Sequence, residues 1–111
     1  MLVVRVTEIG AITVNGDNVG SDDLARYIQE RLFKSFMGTG QMHARIILEK
    51  VSPNVPDPVT EVITEEIQEG QHRNLLELSL QKYNKKFEQL ETKKQEKIKK
   101  LFPVLFQTSF N

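Results

Sequence analysis

Hydrophobic and polar positions along this chain change period several times, and the changes divide it into elements. Leu2 to Ile9 is rich in β-branched residues, with Arg5, Thr7 and Glu8 between them, which predicts a strand. After Gly10, Ala11-Ile12-Thr13-Val14 predicts a second strand. It closes on Asn15-Gly16, a turn pair whose members both tolerate positive φ. Asp17 to Gly20 reads as the continuing connection. Ser21-Asp22-Asp23 supplies helix-capping side chains and acids for a first turn. Leu24, Ile28, Leu32 and Phe36 then recur every fourth residue, predicting an amphipathic helix that Gly38-Thr39-Gly40 ends.

Ala44 to Val51 predicts a third strand, whose Ile46-Ile47-Leu48 run points to a central place with both faces partly covered. Pro53, Pro56 and Pro58 make the next stretch a connector, because proline lacks the N–H that helices and ladders need. Asp57 is placed to cap a helix and Pro58 to occupy its first position. Val59, Val62, Ile63 and Ile67 share the apolar face of that helix. Beyond Gly70 two periods compete. Leu76, Leu78 and Leu80 alternate as a strand would, whereas Leu76, Leu80, Tyr83, Phe87 and Leu90 follow helical spacing. The helical template covers the longer window. It gives one helix to about Asn84, with Gly70 as the place for a kink. Thr92 opens a short helix through Phe102, and Pro103 ends it. Val104 to Phe110 is a β-prone tail with Val104, Phe106, Thr108 and Phe110 on one face. Together these predict an α+β fold. A small mixed sheet of about four to five strands packs against two main helices plus a short C-terminal helix.

The length of 111 residues fits one domain, and 39% hydrophobic with 27% charged residues fits a folded one with a wet surface. The formal net charge of +0 provides no overall field for nucleic acid or an anionic membrane. With no cysteine, disulfides, zinc–thiolate sites and thiol nucleophiles are excluded. No run approaches a membrane helix. The abrupt start on Leu2-Val3-Val4-Arg5-Val6 reads as the trimmed beginning of a longer chain.

Little in the sequence carries chemistry. His43 and His72 lack the spacing of a metal pair. Gly38-Thr39-Gly40 follows a helix rather than a strand and lacks the lysine of a phosphate loop. No serine sits in a nucleophile elbow, and no carboxylate pair stands out for acid–base work. The reading is therefore non-enzymatic, with no cofactor. Charge is nonetheless segregated: five acids and no base lie between Asp57 and Glu69. Eight lysines against three glutamates lie between Lys82 and Lys100, net +5. Lys93, Lys94, Lys97 and Lys100 form a candidate polyanion patch. Nucleic acid is disfavoured, because Tyr83, Phe87 and Phe102 sit at core spacing rather than as stacking platforms.

Ala11-Ile12-Thr13-Val14-Asn15-Gly16, Val19 and the helical Leu24 resemble the start of the periplasmic domains of ExbD/TolR-type biopolymer-transport proteins. Ala44 to Leu48 sits where that family has its next strand. Val55-Pro56-Asp57-Pro58-Val59 leading into Val62-Ile63 resembles its connector and second helix. Tyr83 to Leu90, Gln95, Ile98-Lys99-Lys100 and Phe102-Pro103-Val104 are similar to the C-terminal extension of the Bacteroidetes members. The resemblance implies a single domain over residues 1–111 on the periplasmic side of the bacterial inner membrane. It also implies a homodimer working with an ExbB/TolQ-like channel protein and a TonB-like protein. The family's membrane helix, with its proton-carrying aspartate, has no counterpart here, so any membrane link lies in a segment outside this sequence. The tail also ends Gln107-Thr108-Ser109-Phe110 rather than on the acidic Ser-Glu-Ala-Glu associated with such tails. The expected dimer or partner strand carries Val104, Phe106 and Thr108. The competing readings are a soluble adaptor that pairs through the second long helix, and a peptidoglycan- or polyanion-binding domain.

Overall fold

The structure, a computed structural model, describes residues 2–39, 46–100 and 107–108. Its elements are β1 (Leu2–Val6), β2 (Ile12–Val14), β3 (Asp17–Val19), α1 (Leu24–Thr39), β4 (Ile46–Lys50), α2 (Asp57–Tyr83), α3 (Thr92–Lys100) and β5 (Gln107–Thr108). The strands form one mixed sheet in the order β3-β2-β1-β4-β5. β1–β2 and β2–β3 are antiparallel, while β1–β4 and β4–β5 are parallel. The expected α+β architecture, a small mixed sheet against two main helices and a short C-terminal one, is what forms.

One face of the sheet makes the core. Leu2, Val4 and Val6, then Ile12 and Val14, then Ile46 and Leu48 are buried, and the residues between them are not. That alternation is the period-2 signature of a sheet covered on one side. Ile47, on the other side, is half-buried, and β4 lies between β1 and β5, in keeping with the central, partly covered place expected for Ile46-Ile47-Leu48. α1 contributes Leu24, Ile28 and Leu32 to the same core; α2 contributes Ile63, Ile67 and Leu78; α3 contributes Ile98. Each such side chain stabilises the fold by roughly 1.5–3 kcal/mol relative to its exposed state.

Two local expectations need correction. Asp17 to Val19 is a strand rather than a connection. Asn15 (φ 49°) and Gly16 (φ 90°) form a two-residue turn with positive φ at both positions, which pairs Val14 with Asp17 directly. α1 ends at Thr39, within the Gly38-Thr39-Gly40 stretch expected to end it, and Gly40 lies outside the described residues. At the start of α1, Ser21, Asp22 and Asp23 form a single 3-10 turn with no side-chain cap, held by the Asp23 N–H donating to the Gly20 carbonyl at 3.0 Å.

α2 is one unbroken helix of 27 residues, so the helical reading of residues 70–83 holds. Its N-cap is Pro56, with Asp57 already helical. The shift of one residue follows from Pro56 itself, whose extended ψ of 143° suits the position before a helix. At the other end Asn84 adopts the left-handed conformation and its N–H closes on the Leu80 carbonyl at 2.9 Å. The chain leaves the helix there, so Phe87 and Leu90 do not extend a seam with Leu76 and Leu80. The buried stripe of α2 is instead Ile63, Ile67, Gly70, Asn74 and Leu78, and Val62 and Leu80 face outward at 53% and 52% exposure. Gly70 is no kink. A Cβ there would stand 2.6 Å from the Ala25 carbonyl oxygen and 2.8 Å from Ile28 Cβ, so glycine lets α2 lie against α1.

Candidate interaction surfaces

The sheet offers two edges and one open face. β3 forms one edge. It is short and carries exposed Asp17 and Asn18, which discourage further pairing. Asp17 is fixed by α1: the Tyr27 hydroxyl donates to its Oδ2 at 3.0 Å. Partial burial and this hydrogen bond both raise the Tyr27 pKa above the ordinary phenol value, against a smaller opposing effect of Arg31. β5 forms the other edge. Its register sets Gln107 opposite Ile47 and Thr108 opposite Leu48. Of the expected dimer strand, Thr108 therefore lies at the sheet edge, and Val104 and Phe106 lie outside the described residues.

The open face carries Val3, Arg5, Thr13, Ile47 and Glu49. Arg5 and Glu49 are register partners on β1 and β4, and their side chains pair at 3.0 Å. Arg5 is largely exposed, so the pair is worth well under about 1 kcal/mol and serves mainly to keep the face polar. Beside it, the Val3 N–H donates to Asn15 Oδ1 at 2.8 Å and the Asn15 N–H donates to the Val3 carbonyl at 2.9 Å. The hairpin is thereby clamped onto β1.

A hydrogen-bonded loop closes the end of the sheet where β1 and β4 finish. The Thr7 N–H donates to the Ala11 carbonyl and the Ala11 N–H to Thr7 Oγ1, at 3.0 and 3.1 Å. Ser52 reaches across to Glu8 with its hydroxyl at 2.7 Å. The loop holds Ile9 at 91% exposure, with Val51 at 61% beside it.

The lysine cluster gathers at the far end of α2 and on α3. Ile98 anchors α3 in the core, while Lys93, Lys97 and Lys100, at three- and four-residue spacing, share its exposed side. Lys94 is half-buried instead, its Nζ 5.3 Å from the Tyr83 ring centre, and Lys99 lies 5.9 Å from the Phe87 ring. Each such contact is worth about 0.5–1 kcal/mol at an exposed site. Of the four patch lysines, Lys93, Lys97 and Lys100 are thus exposed and Lys94 packs on an aromatic ring, as does the neighbouring Lys99. Gln95 adds a bond from its Nε2 to the Phe87 carbonyl at 3.0 Å, tying α3 to the turn at Phe87–Gln89.

His72 is exposed on α2, and His43 lies outside the described residues. Among the described residues no group of three or more His, Asp or Glu side chains converges to hold a metal ion. Nor is any described helix long and apolar enough to cross a membrane. The surfaces that sequence reasoning missed are apolar ones: Ile9 with Val51, and the outward Val62 and Leu80. Val62 was assigned to the core with Ile63, yet neighbours on a helix point about 100° apart. The chain matches no protein-family model, no curated protein and no solved structure.

Proposed function

We propose that this chain is the non-enzymatic interaction domain of an ExbD/TolR-type energy-coupling component, exposed on the periplasmic side of the bacterial inner membrane. In that role it takes part in proton-motive-force-driven outer-membrane transport with an ExbB/TolQ-like channel and a TonB-like protein. The observation that carries the reading is the placement of the last strand. The chain runs hairpin, helix, strand, long helix and short helix, then returns to add β5 in parallel beside β4 at the sheet edge. This order agrees with the resemblance along most of the chain. It leaves an edge strand where a second chain adds by main-chain hydrogen bonding.

The chain contains no cysteine, which permits a direct test. Glu30→Cys, at an exposed position of α1, is expressed within the natural full-length protein and treated with a membrane-impermeant maleimide in intact spheroplasts. Labelling before lysis is expected; labelling only after lysis overturns the periplasmic reading. The edge strand is tested separately by Phe106→Pro. Loss of partner or dimer contacts is expected, and unchanged assembly with an intact fold refutes the role of β5.

A further inference from the structure

The outer face of α2 has an unusual symmetry. Opposite the buried stripe of Ile63, Ile67, Gly70, Asn74 and Leu78, the residues Val62, Glu69, Arg73 and Leu80 fall in one line, because spacings of seven, four and seven return to the same side of a helix. All four are exposed, Val62 and Leu80 at 53% and 52%. Half-buried Leu76 lies beside them. The line is self-complementary about position 71, apolar against apolar and acid against base. Val62 stands nine residues before that point and Leu80 nine after, Glu69 two before and Arg73 two after.

Charge is also unequal along the helix. The first half of α2 holds Asp57, Glu61, Glu65, Glu66 and Glu69 without a base. Arg73, Lys82, Lys85 and Lys86 lie in and just beyond the second half, against Glu77 and Glu88. A second copy turned about a two-fold axis at residue 71 sets Val62 of one chain against Leu80 of the other. It also sets Glu69 against Arg73. The two helix dipoles then oppose, which is also favourable. A parallel pairing would stack like charges along the whole length.

We propose that this face of α2 is an isologous self-association surface, on which a second copy of the chain docks antiparallel. The proposal goes beyond the reading of the preceding section and does not rest on it. One helix pair buries less area than the ~1,200–2,000 Å² of stable interfaces, so the pairing is weak and reversible and is favoured where copies are held close together. The Glu69–Arg73 pair within each chain, with Arg73 Nε donating to Glu69 Oε1 at 3.0 Å, becomes part of a four-charge cluster on the axis.

The cysteine-free sequence makes the geometry testable in the 111-residue chain. Val62→Cys and Leu80→Cys are made as separate proteins and exposed to a mild oxidant alone and mixed. The mixture is expected to form disulfide-linked dimers about tenfold faster than either protein alone, because like positions in the antiparallel pair are ~27 Å apart. A mixture no faster than its components, or a dominant link between like positions, overturns the proposal. In the same assay Glu69→Arg and Arg73→Glu are each expected to slow the mixed link several-fold, and the combined swap to restore it. Single reversals without effect, in chains whose circular dichroism is unchanged, also refute it. Neither outcome bears on spheroplast labelling at Glu30, so the two readings fail independently.

Discussion

Gly70 of α2 lies against the backbone of Ala25 in α1, so close that a Cβ on Gly70 would stand 2.6 Å from the Ala25 carbonyl oxygen. The obstacle is backbone rather than the tip of a flexible side chain, so it cannot swing aside. Ile28 blocks a second direction, at 2.8 Å from its Cβ. Gly70→Ala gains about 1 kcal/mol of helix propensity. It loses about 1–3 kcal/mol or more to overpacking, since α1 must move as a body. The variant is expected to be less stable by roughly 1–2 kcal/mol, read as a lower denaturation midpoint at unchanged slope. A variant as stable as the parent would mean that the two helices have room to part.

That contact also explains why part of the fold was legible in the sequence and part was not. The Asn15-Gly16 turn, the fourfold spacing of Leu24, Ile28 and Leu32, and the proline connector act locally, and each predicts its element without reference to the rest. Gly70 reads locally as a weak point of a helix, whereas its role is set by α1, some forty residues earlier. The same holds for Val62 and Leu80, whose apolar character suggests a core that the packing angle of α2 assigns to other residues. Asp17 to Val19 was missed for a different reason. Asp and Asn are poor strand formers, and here the tight turn imposes pairing on them. Of the candidate surfaces, the lysines of α3 were legible because charge is visible in any order. The exposed Ile9 was not, because its exposure follows from the hydrogen bonds that hold the Thr7–Ala11 loop.

Tyr27 and Asp17 link α1 to the edge strand β3 through a 3.0 Å hydrogen bond, and the phenol pKa is raised by burial and by that bond. A group whose pKa is higher in the folded state binds protons more tightly there. Its contribution is complete below the unfolded value near 10 and is lost as pH rises through the folded value. Stability measured by urea denaturation is therefore expected to fall above about pH 10, in part through Tyr27. Tyr27→Phe should be slightly less stable at neutral pH and should show a shallower alkaline decline than the parent. Parallel pH profiles for the two proteins would disprove the linkage.

Asn84 ends α2 with φ 54° and ψ 32°, donating its N–H to the Leu80 carbonyl. Asparagine tolerates this left-handed region better than other residues with a Cβ, and glycine better still. Asn84→Ala is expected to destabilise the chain by about 1 kcal/mol, and Asn84→Gly to leave it equal or slightly more stable. Differential scanning calorimetry of the three proteins checks the order. If alanine and glycine were equivalent at this position, the cap would not govern where α2 stops.

Ile98 is the buried residue of α3, a helix of nine residues that otherwise carries mostly lysine, glutamine and glutamate. So short a helix is not stable by itself in water, and its order comes from docking. Ile98→Ala removes that anchor from a core shared with Leu90 and the flanking Phe87. The expected loss is about 2–4 kcal/mol for the docked state of α3. It should fall mainly on α3, because β1, β4 and α1 keep their own contacts. Hydrogen exchange reads this residue by residue. Amides of Thr92–Lys100 should lose protection by about a hundredfold or more, while those of Leu2–Val6 change little. Equal loss in both segments would mean that α3 and the sheet unfold as one unit. In that case the lysine patch would be as rigid as the core, rather than a separately docked arm that can release while the sheet stays folded.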